Sequence, residues 1–279
     1  MCGRIIVVSK VEVIEKIFDV KASNQLSLFE PNYNLGVGQM DPVILSESPR
    51  ELTLAKFGLT PSWAKKQMYL FNARSEGDNN KEDDPKFTRG KGIINKPSFR
   101  TGIRRQRCLV IADCFYEGNK AEGLSKPYLV YLKERRPFAM AGIWDRWVDK
   151  ETGEVITSFS IITTVANELM QKIGHHRSPV ILRKDQEYAW IKESTDLSIV
   201  TAMLEPYPAD EMNAYPVSPN VKNPRNHGKE LADPVGQRVY AEYDIKTNEE
   251  FRTQGMGHRK SMEGESWSDS QQKKKNEEK

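Results

Sequence analysis

Cysteine is scarce in this chain of 279 residues, and so is an excess of charge of either sign. Cys2, Cys108 and Cys114 cannot all pair, and none stands in a CxxC or Cys/His arrangement with zinc-ligand spacing. A reducing compartment, no structural metal and no cofactor are the expectations. Long apolar runs are missing too: the stretch at 5–8 near the start is too short for a signal segment or a membrane span. Position 2 is not Gly, which excludes myristoylation. No membrane association and a cytoplasmic location are therefore expected. With 42 Lys and Arg against 39 Asp and Glu, the net charge is only +3. Any attraction to nucleic acid must come from local clustering of cations. Regular βαβ alternation and internal repeats are also lacking, which argues against a doubly wound sheet or a solenoid.

What is present is a series of segments rich in β-branched residues, at 5–8, 42–45, 52–56, 109–112, 127–132, 138–144, 155–164 and 179–182. They read as strands. Val11, Ile14, Ile17 and Phe18 share a helical face, and residues 166–173, 195–204 and a capped segment around Asp185, Tyr188, Trp190 and Ile191 read as further helices. The expected fold class is α+β, a single domain over 2–245 with a β-rich, mainly antiparallel core and flanking helices. From 246 to 279 apolar residues give way to Ser, Gln, Lys and Glu, so a mobile charged tail is expected.

Several residue types carry possible chemistry. Removal of Met1 would leave at Cys2 an amine and a thiol on adjacent carbons, a pair that condenses with an aldehyde to an imine and then a thiazolidine. Ordinary pKa values of about 8 and about 8.5 leave both nucleophiles partly available near neutrality. Asn72 and Arg74, in YLFNARSEG, sit where a loop or helix start is plausible; Asn72 could orient a nucleophile or cap a helix, and Arg74 could grip a phosphate or form a surface ion pair. Glu117 follows the apolar CLVIADCFY, where desolvation would raise its pKa toward the range useful for proton transfer; a water-facing strand end is the alternative. His175 and His176 are adjacent, so at most one is expected in a site, and no third ligand suggests a metal. Between 86 and 107 eight Lys and Arg occur without one acid, with Phe87 and Phe99 interleaved, a pattern that favours phosphates and exposed bases over the alternative of a solvated basic loop. Trp63, in GLTPSWAKK, is either a stacking ring or a core residue.

Taken in order, MCGR, GLTPSWA, FNAR, CLVIADCFYEG, GHHRSPVIL and YPVSPNVKNPRN resemble the SOS response-associated peptidase (SRAP) family. The resemblance implies a domain whose N-terminal cysteine crosslinks abasic sites in single-stranded DNA, after release of its own initiator Met. It implies Cys2 as nucleophile, Asn72 as the active-site Asn, Glu117 as the acidic residue and His175 as the catalytic His. Arg4, Trp63, Arg74, Thr163 and Arg177 fall where the family contacts DNA. The expected partner is single-stranded DNA with abasic sites, met by a monomer in the cytoplasm or nucleoid. Two positions depart from the family pattern: Val37 where a Pro is usual, and Gly118 where an aromatic follows the acidic residue. A cysteine peptidase acting in trans and a non-covalent reader of single-stranded or modified DNA are the rival readings.

Overall fold

The structure is a computed structural model and describes residues 2–242 except Arg89. The expected tail at 246–279, and the domain boundary at 245, lie outside the described residues. Among the described residues the strands, in chain order, are β1 (Arg4–Val7), β2 (Lys21–Ala22), β3 (Asn32–Gly36), β4 (Met40–Leu45), β5 (Glu51–Phe57) and β6 (Asn72–Arg74). They continue with β7 (Arg107–Ala112), β8 (Cys114–Gly118), β9 (Pro127–Leu132), β10 (Phe138–Val148), β11 (Val155–Val165), β12 (Arg177–Pro179) and β13 (Met212–Pro216). The helices are α1 (Val11–Phe18), α2 (Arg100–Arg105), α3 (Glu168–Lys172), α4 (Lys184–Ile191) and α5 (Leu197–Ala202). This is the expected α+β fold.

Two sheets organise these strands. The smaller has the order β13-β9-β8-β1-β3, all antiparallel. In the larger, β12-β11-β10-β7-β4-β5-β2, strand β5 returns to pair parallel with β11 through Ser158↔Lys56 and Phe159↔Phe57, closing five strands into a ring. Strand β6 attaches to β11, also in parallel.

Alternation along the strands sorts side chains into two layers. Val43, Leu45, Phe57, Val110, Met140, Phe159 and Ile161 point inward and meet Cys2, Ile5, Leu35, Phe115 and Val130 from the smaller sheet. Their neighbours Ile44, Leu109, Ile111, Ala141, Ile143 and Ile162 face outward and are covered by Ile14 and Phe18 of α1, Ile103 of α2, Trp190 of α4 and Val200 of α5. Each large apolar side chain so buried contributes about 1.5–3 kcal/mol.

Local chemistry explains where the elements break. CLVIADCFY reads as one apolar strand, but it is cut at Asp113, whose carboxylate accepts from Val8 N at 2.6 Å, Ser9 N at 2.8 Å and Ser9 Oγ at 2.6 Å. The chain turns there from β7 in the larger sheet to β8 in the smaller, so Glu117 belongs to a different sheet from Leu109–Ala112. The strand expected at 179–182 lies earlier, at Arg177–Pro179; beyond it only Ile181 bridges Met140. Helix α4 starts earlier than Asp185, with the Gln186 side chain accepting from Arg183 N at 3.0 Å, and Tyr188 points to solvent.

The basic stretch 86–107 is not one groove. Arg107 is fully buried, donating to the carbonyls of Trp190 at 2.5 Å, Ile103 at 3.0 Å and Lys192 at 2.7 Å, where it neutralises the ends of α2 and α4. Lys91 pairs with Glu205, Lys96 with Asp78, and Arg104 donates to Ile94 O and Arg100 O. Phe99 packs against the outer layer of the core. Four of the eight cations are thus engaged within the chain.

Candidate active site

Cys2 leads into β1, which runs between β8 and β3 in the smaller sheet. The side chain of Cys2 is 1 % exposed, and its carbonyl accepts a hydrogen bond of 2.9 Å from Asn72 Nδ2. Asn72 is on neither a helix start nor a loop, as its local sequence suggested, but opens β6. There it pairs with Ile161, as Arg74 does with Thr163. Residues two apart on a strand share a face, so Asn72 and Arg74 point together while Ala73 enters the outer core.

Glu117 and His175 complete the buried cluster. The Glu117 Oε2 to His175 Nε2 distance is 3.4 Å, with both side chains about 95 % buried. His175 Nδ1 lies 2.6 Å from the Gly118 carbonyl, an acceptor only, so Nδ1 carries the proton and Nε2 offers a lone pair toward Glu117. Burial pushes the Glu117 carboxyl up to about 7, with the charge of the amino terminus partly opposing it. Burial, helped by the amino-terminal charge, lowers His175 to about 4, so its ring is neutral at physiological pH. The Cys2 thiol is driven well above its ordinary value by burial and then by the Glu117 charge. This corrects the expectation of a partly ionised thiol: Cys2 stays protonated until a base takes its proton.

Gly118, the departure after the acidic residue, has a structural reason. A Cβ there would lie 1.8 Å from the Gly123 carbonyl oxygen, so the turn at Gly123 occupies the space of a side chain. Val37, the other departure, is half-buried against the inner core.

The cationic residues form a second group beside the first. Arg177 on β12 is 2 % exposed and donates from Nη2 to Glu76 Oε2 at 2.7 Å, Thr163 O at 3.0 Å and Thr163 Oγ1 at 3.3 Å. Thr163 is fully buried behind it. Arg74 Nη2 donates to Asn80 O at 2.5 Å and Asp83 Oδ1 at 2.7 Å. Arg4, half-buried, lies across β3 where Gly36 has no side chain; a Cβ there would meet its guanidinium at 1.8 Å. Trp63 is 61 % exposed on the loop after β5, whose Ser62 N donates to Asp145 at 2.8 Å. Cys2, Asn72, Glu117 and His175 are thus tied by contacts or electrostatic influence, and Arg74, Thr163 and Arg177 are joined through Asp83 and β11. Among the described residues no hydrogen bond or ion pair ties Trp63 to either group. Sequence reasoning missed Glu76 and Asp83, whose roles rest on long-range contacts that no local spacing announces. Among the described residues no group of three or more His, Cys, Asp or Glu could hold a metal ion.

With this geometry in place, comparison with known proteins is decisive. The SOS response associated peptidase (SRAP) family profile matches residues 1–224. The chain belongs to the SRAP family. The abasic site processing protein YoqW of Bacillus subtilis (strain 168) is 34 % identical over 239 residues, covering 84 % of this chain and 99 % of its own. The abasic site processing protein HMCES of Gallus gallus is 29 % identical over 242 residues, covering 74 % of this chain and 67 % of its own. A crystal structure of a protein from Bacteroides thetaiotaomicron superposes with a TM-score of 0.67 at 28 % identity, covering 81 % of this chain and 97 % of that one. The SRAP match spans every residue described above, from Cys2 to Arg177. Among the described residues of this SRAP protein, no helix is long and apolar enough to cross a membrane.

Proposed function

We propose that this chain processes abasic sites in single-stranded DNA by forming a thiazolidine crosslink through Cys2. Met1 is first removed, by the chain itself or by an aminopeptidase. The observation that carries the reading is the placement of Cys2: its carbonyl is fixed by Asn72, and its thiol feels the charge of a buried Glu117 that faces a neutral His175.

In the scheme, the liberated Cys2 amine attacks the aldehyde carbon of the ring-opened sugar. Glu117, half protonated near neutrality, gives a proton to the departing hydroxyl and takes one back from the nitrogen, so that water leaves as the imine forms. The thiol then adds across the C=N bond, its proton passing by way of Glu117 to the nitrogen as the S–C bond closes the ring. His175 Nε2, a lone-pair acceptor, accepts a hydrogen bond from Glu117 while that carboxyl is protonated and one from the sugar hydroxyl that must stay open while it is ionised. Arg4, Arg74 and Arg177 hold backbone phosphates, Thr163, fully buried, orients Arg177 from behind, and exposed Trp63 stacks against or wedges between bases. An unpaired sugar is required, so single strands and fork junctions react better than duplex. One chain supplies every group, so a monomer suffices, and the substrate places it with the nucleoid.

The names of the YoqW and HMCES relatives support abasic-site processing. The test compares a single strand bearing a true abasic site with one bearing a tetrahydrofuran analogue that has no aldehyde. Covalent product with the first alone is expected. Equal retention of both would favour a non-covalent reader, and turnover of unrelated peptides would favour a peptidase acting in trans.

A further inference from the structure

The segment between β6 and the turn at Gly92–Asn95 carries Glu76, Asp78, Glu82, Asp83 and Asp84. Lys81, Glu82, Asp84 and Pro85 are exposed, but Asp83 turns inward, its side chain 10 % exposed. Four nitrogen groups converge on its carboxylate: Arg74 Nη2 at 2.7 Å, Lys120 Nζ at 3.3 Å, His176 Nε2 at 3.8 Å and Arg177 Nη1 at 3.9 Å. Arg74 and Arg177 are brought together by the pairing of β6 and β12 with β11, His176 precedes Arg177, and Lys120 comes from the turn after β8. Asp83 holds a left-handed backbone, φ 58°, unusual for a residue other than Gly and uphill in energy unless its contacts hold it there.

Two carboxylates, Asp83 and Glu76, face these cations and still leave donors over. Arg74 Nε and Arg177 Nε and Nη1 are buried donors without a hydrogen-bond partner among the described residues. Buried nitrogens of that kind are costly unless a ligand completes them. A phosphate group carries more acceptor oxygens than a carboxylate and suits paired guanidinium groups. The site also lies one two-residue strand step, about 7 Å, from Asn72, which holds Cys2.

We infer that Asp83 is an internal stand-in for a DNA phosphate: it occupies the subsite for a backbone phosphate flanking the abasic sugar, and the 78–88 strap must swing away before DNA is seated. The inference rests on the proposed DNA reading and adds to it a competitor in cis, together with Lys120 and His176 as further members of the phosphate subsite. The strap is anchored by few interactions that would resist this. Outside the Asp83 cluster they are Arg74 to Asn80 O at 2.5 Å, Asn79 to Glu76 O at 3.1 Å and Gly90 O at 3.2 Å, and the exposed pair Lys96–Asp78, while Asn80 with Asp84 at 2.9 and 3.0 Å braces the strap internally and can move with it.

The experiment measures binding of an undamaged oligothymidylate to the full chain carrying Cys2→Ala, with Asp83→Asn, Asp83→Ser or Arg74→Gln added. Hydrogen exchange of 78–88 is followed with and without DNA. Both Asp83 variants are expected to bind about fivefold tighter, as when one partly buried ion pair stops competing. Arg74→Gln should bind more weakly, and exchange in 78–88 should rise on DNA addition. If Arg74→Gln weakens binding while both Asp83 variants leave it unchanged or weaker, the stand-in is overturned and the DNA reading survives. If Arg74→Gln has no effect, the phosphate reading of this site fails and takes the inference with it. Should the Asp83 variants fail to fold, exchange in the Cys2→Ala chain decides: unchanged or stronger protection of 78–88 on DNA addition overturns the inference.

Discussion

Glu117→Gln should make the protein more stable and less active, and the pH dependence of that gain identifies its cause. Glu117 is about 95 % buried, and its carboxyl is raised from 4.5 to about 7 in the folded chain. The folded state therefore holds its proton more tightly than the unfolded state. This contribution to stability is fully present below 4.5 and is lost as pH rises through about 7. The gap between those values corresponds to about 3 kcal/mol, the cost of ionising the group inside the fold. Glutamine keeps the shape and cannot ionise. Urea unfolding of both proteins near pH 5 and near pH 9 should thus show about equal stability in acid and an advantage of about 2–3 kcal/mol for the variant in alkali. Crosslinking by the variant should fall in parallel, because the proton shuttle is gone. A stability difference that does not change with pH would refute the raised carboxyl and the acid–base role built on it.

Other substitutions follow from the same contacts. Asn72→Ala removes the hydrogen bond to the Cys2 carbonyl and should slow crosslinking about tenfold in single-turnover assays, with little change in DNA affinity. Asp41 is fully buried, neither carboxylate oxygen has a partner among the described residues, and burial raises its carboxyl well above the usual carboxylate range. Asp41→Val should raise stability at neutral pH by about 1–3 kcal/mol in urea unfolding, and the gain should shrink in acid. Arg177→Met strands Glu76 and should cost about 3–5 kcal/mol, most of it recovered when Glu76→Gln is added. Trp63→Ala should leave unfolding within about 0.5 kcal/mol of the original, because the ring is 61 % exposed, while lowering crosslinking at single-strand/duplex junctions.

The parts of this account that were legible in sequence are those with short-range causes. Runs such as Phe138–Val148 and Val155–Val165 announce strands through β-branched density, and Ile14 and Phe18 announce the buried face of α1. Strand β6 is three residues long and exists only because β11, some ninety positions away, offers a free edge, so Asn72 and Arg74 looked like loop or cap residues. Helix α2, RTGIRR, reads as a basic loop because its stability comes from Ile103 packing on the core and not from its own propensity. Arg107 looked like a phosphate ligand, since a row of cations gives no sign of which one will be buried to cap two helices. The candidate site was visible as motifs, but its electrostatics were not: the high thiol pKa of Cys2 and the capture of Arg74 by Asp83 both arise from three-dimensional packing.

The most direct test of the central claim mixes protein bearing a native N-terminus with single-stranded DNA containing one abasic site and resolves the products on a denaturing gel. Cys2→Ala, Cys108→Ala and a form with an uncleavable residue before Cys2 run alongside. A heat-stable shifted band from the native form and from Cys108→Ala, and from neither of the others, is the predicted result. A band that persists in Cys2→Ala, or none from any form, contradicts covalent capture by Cys2.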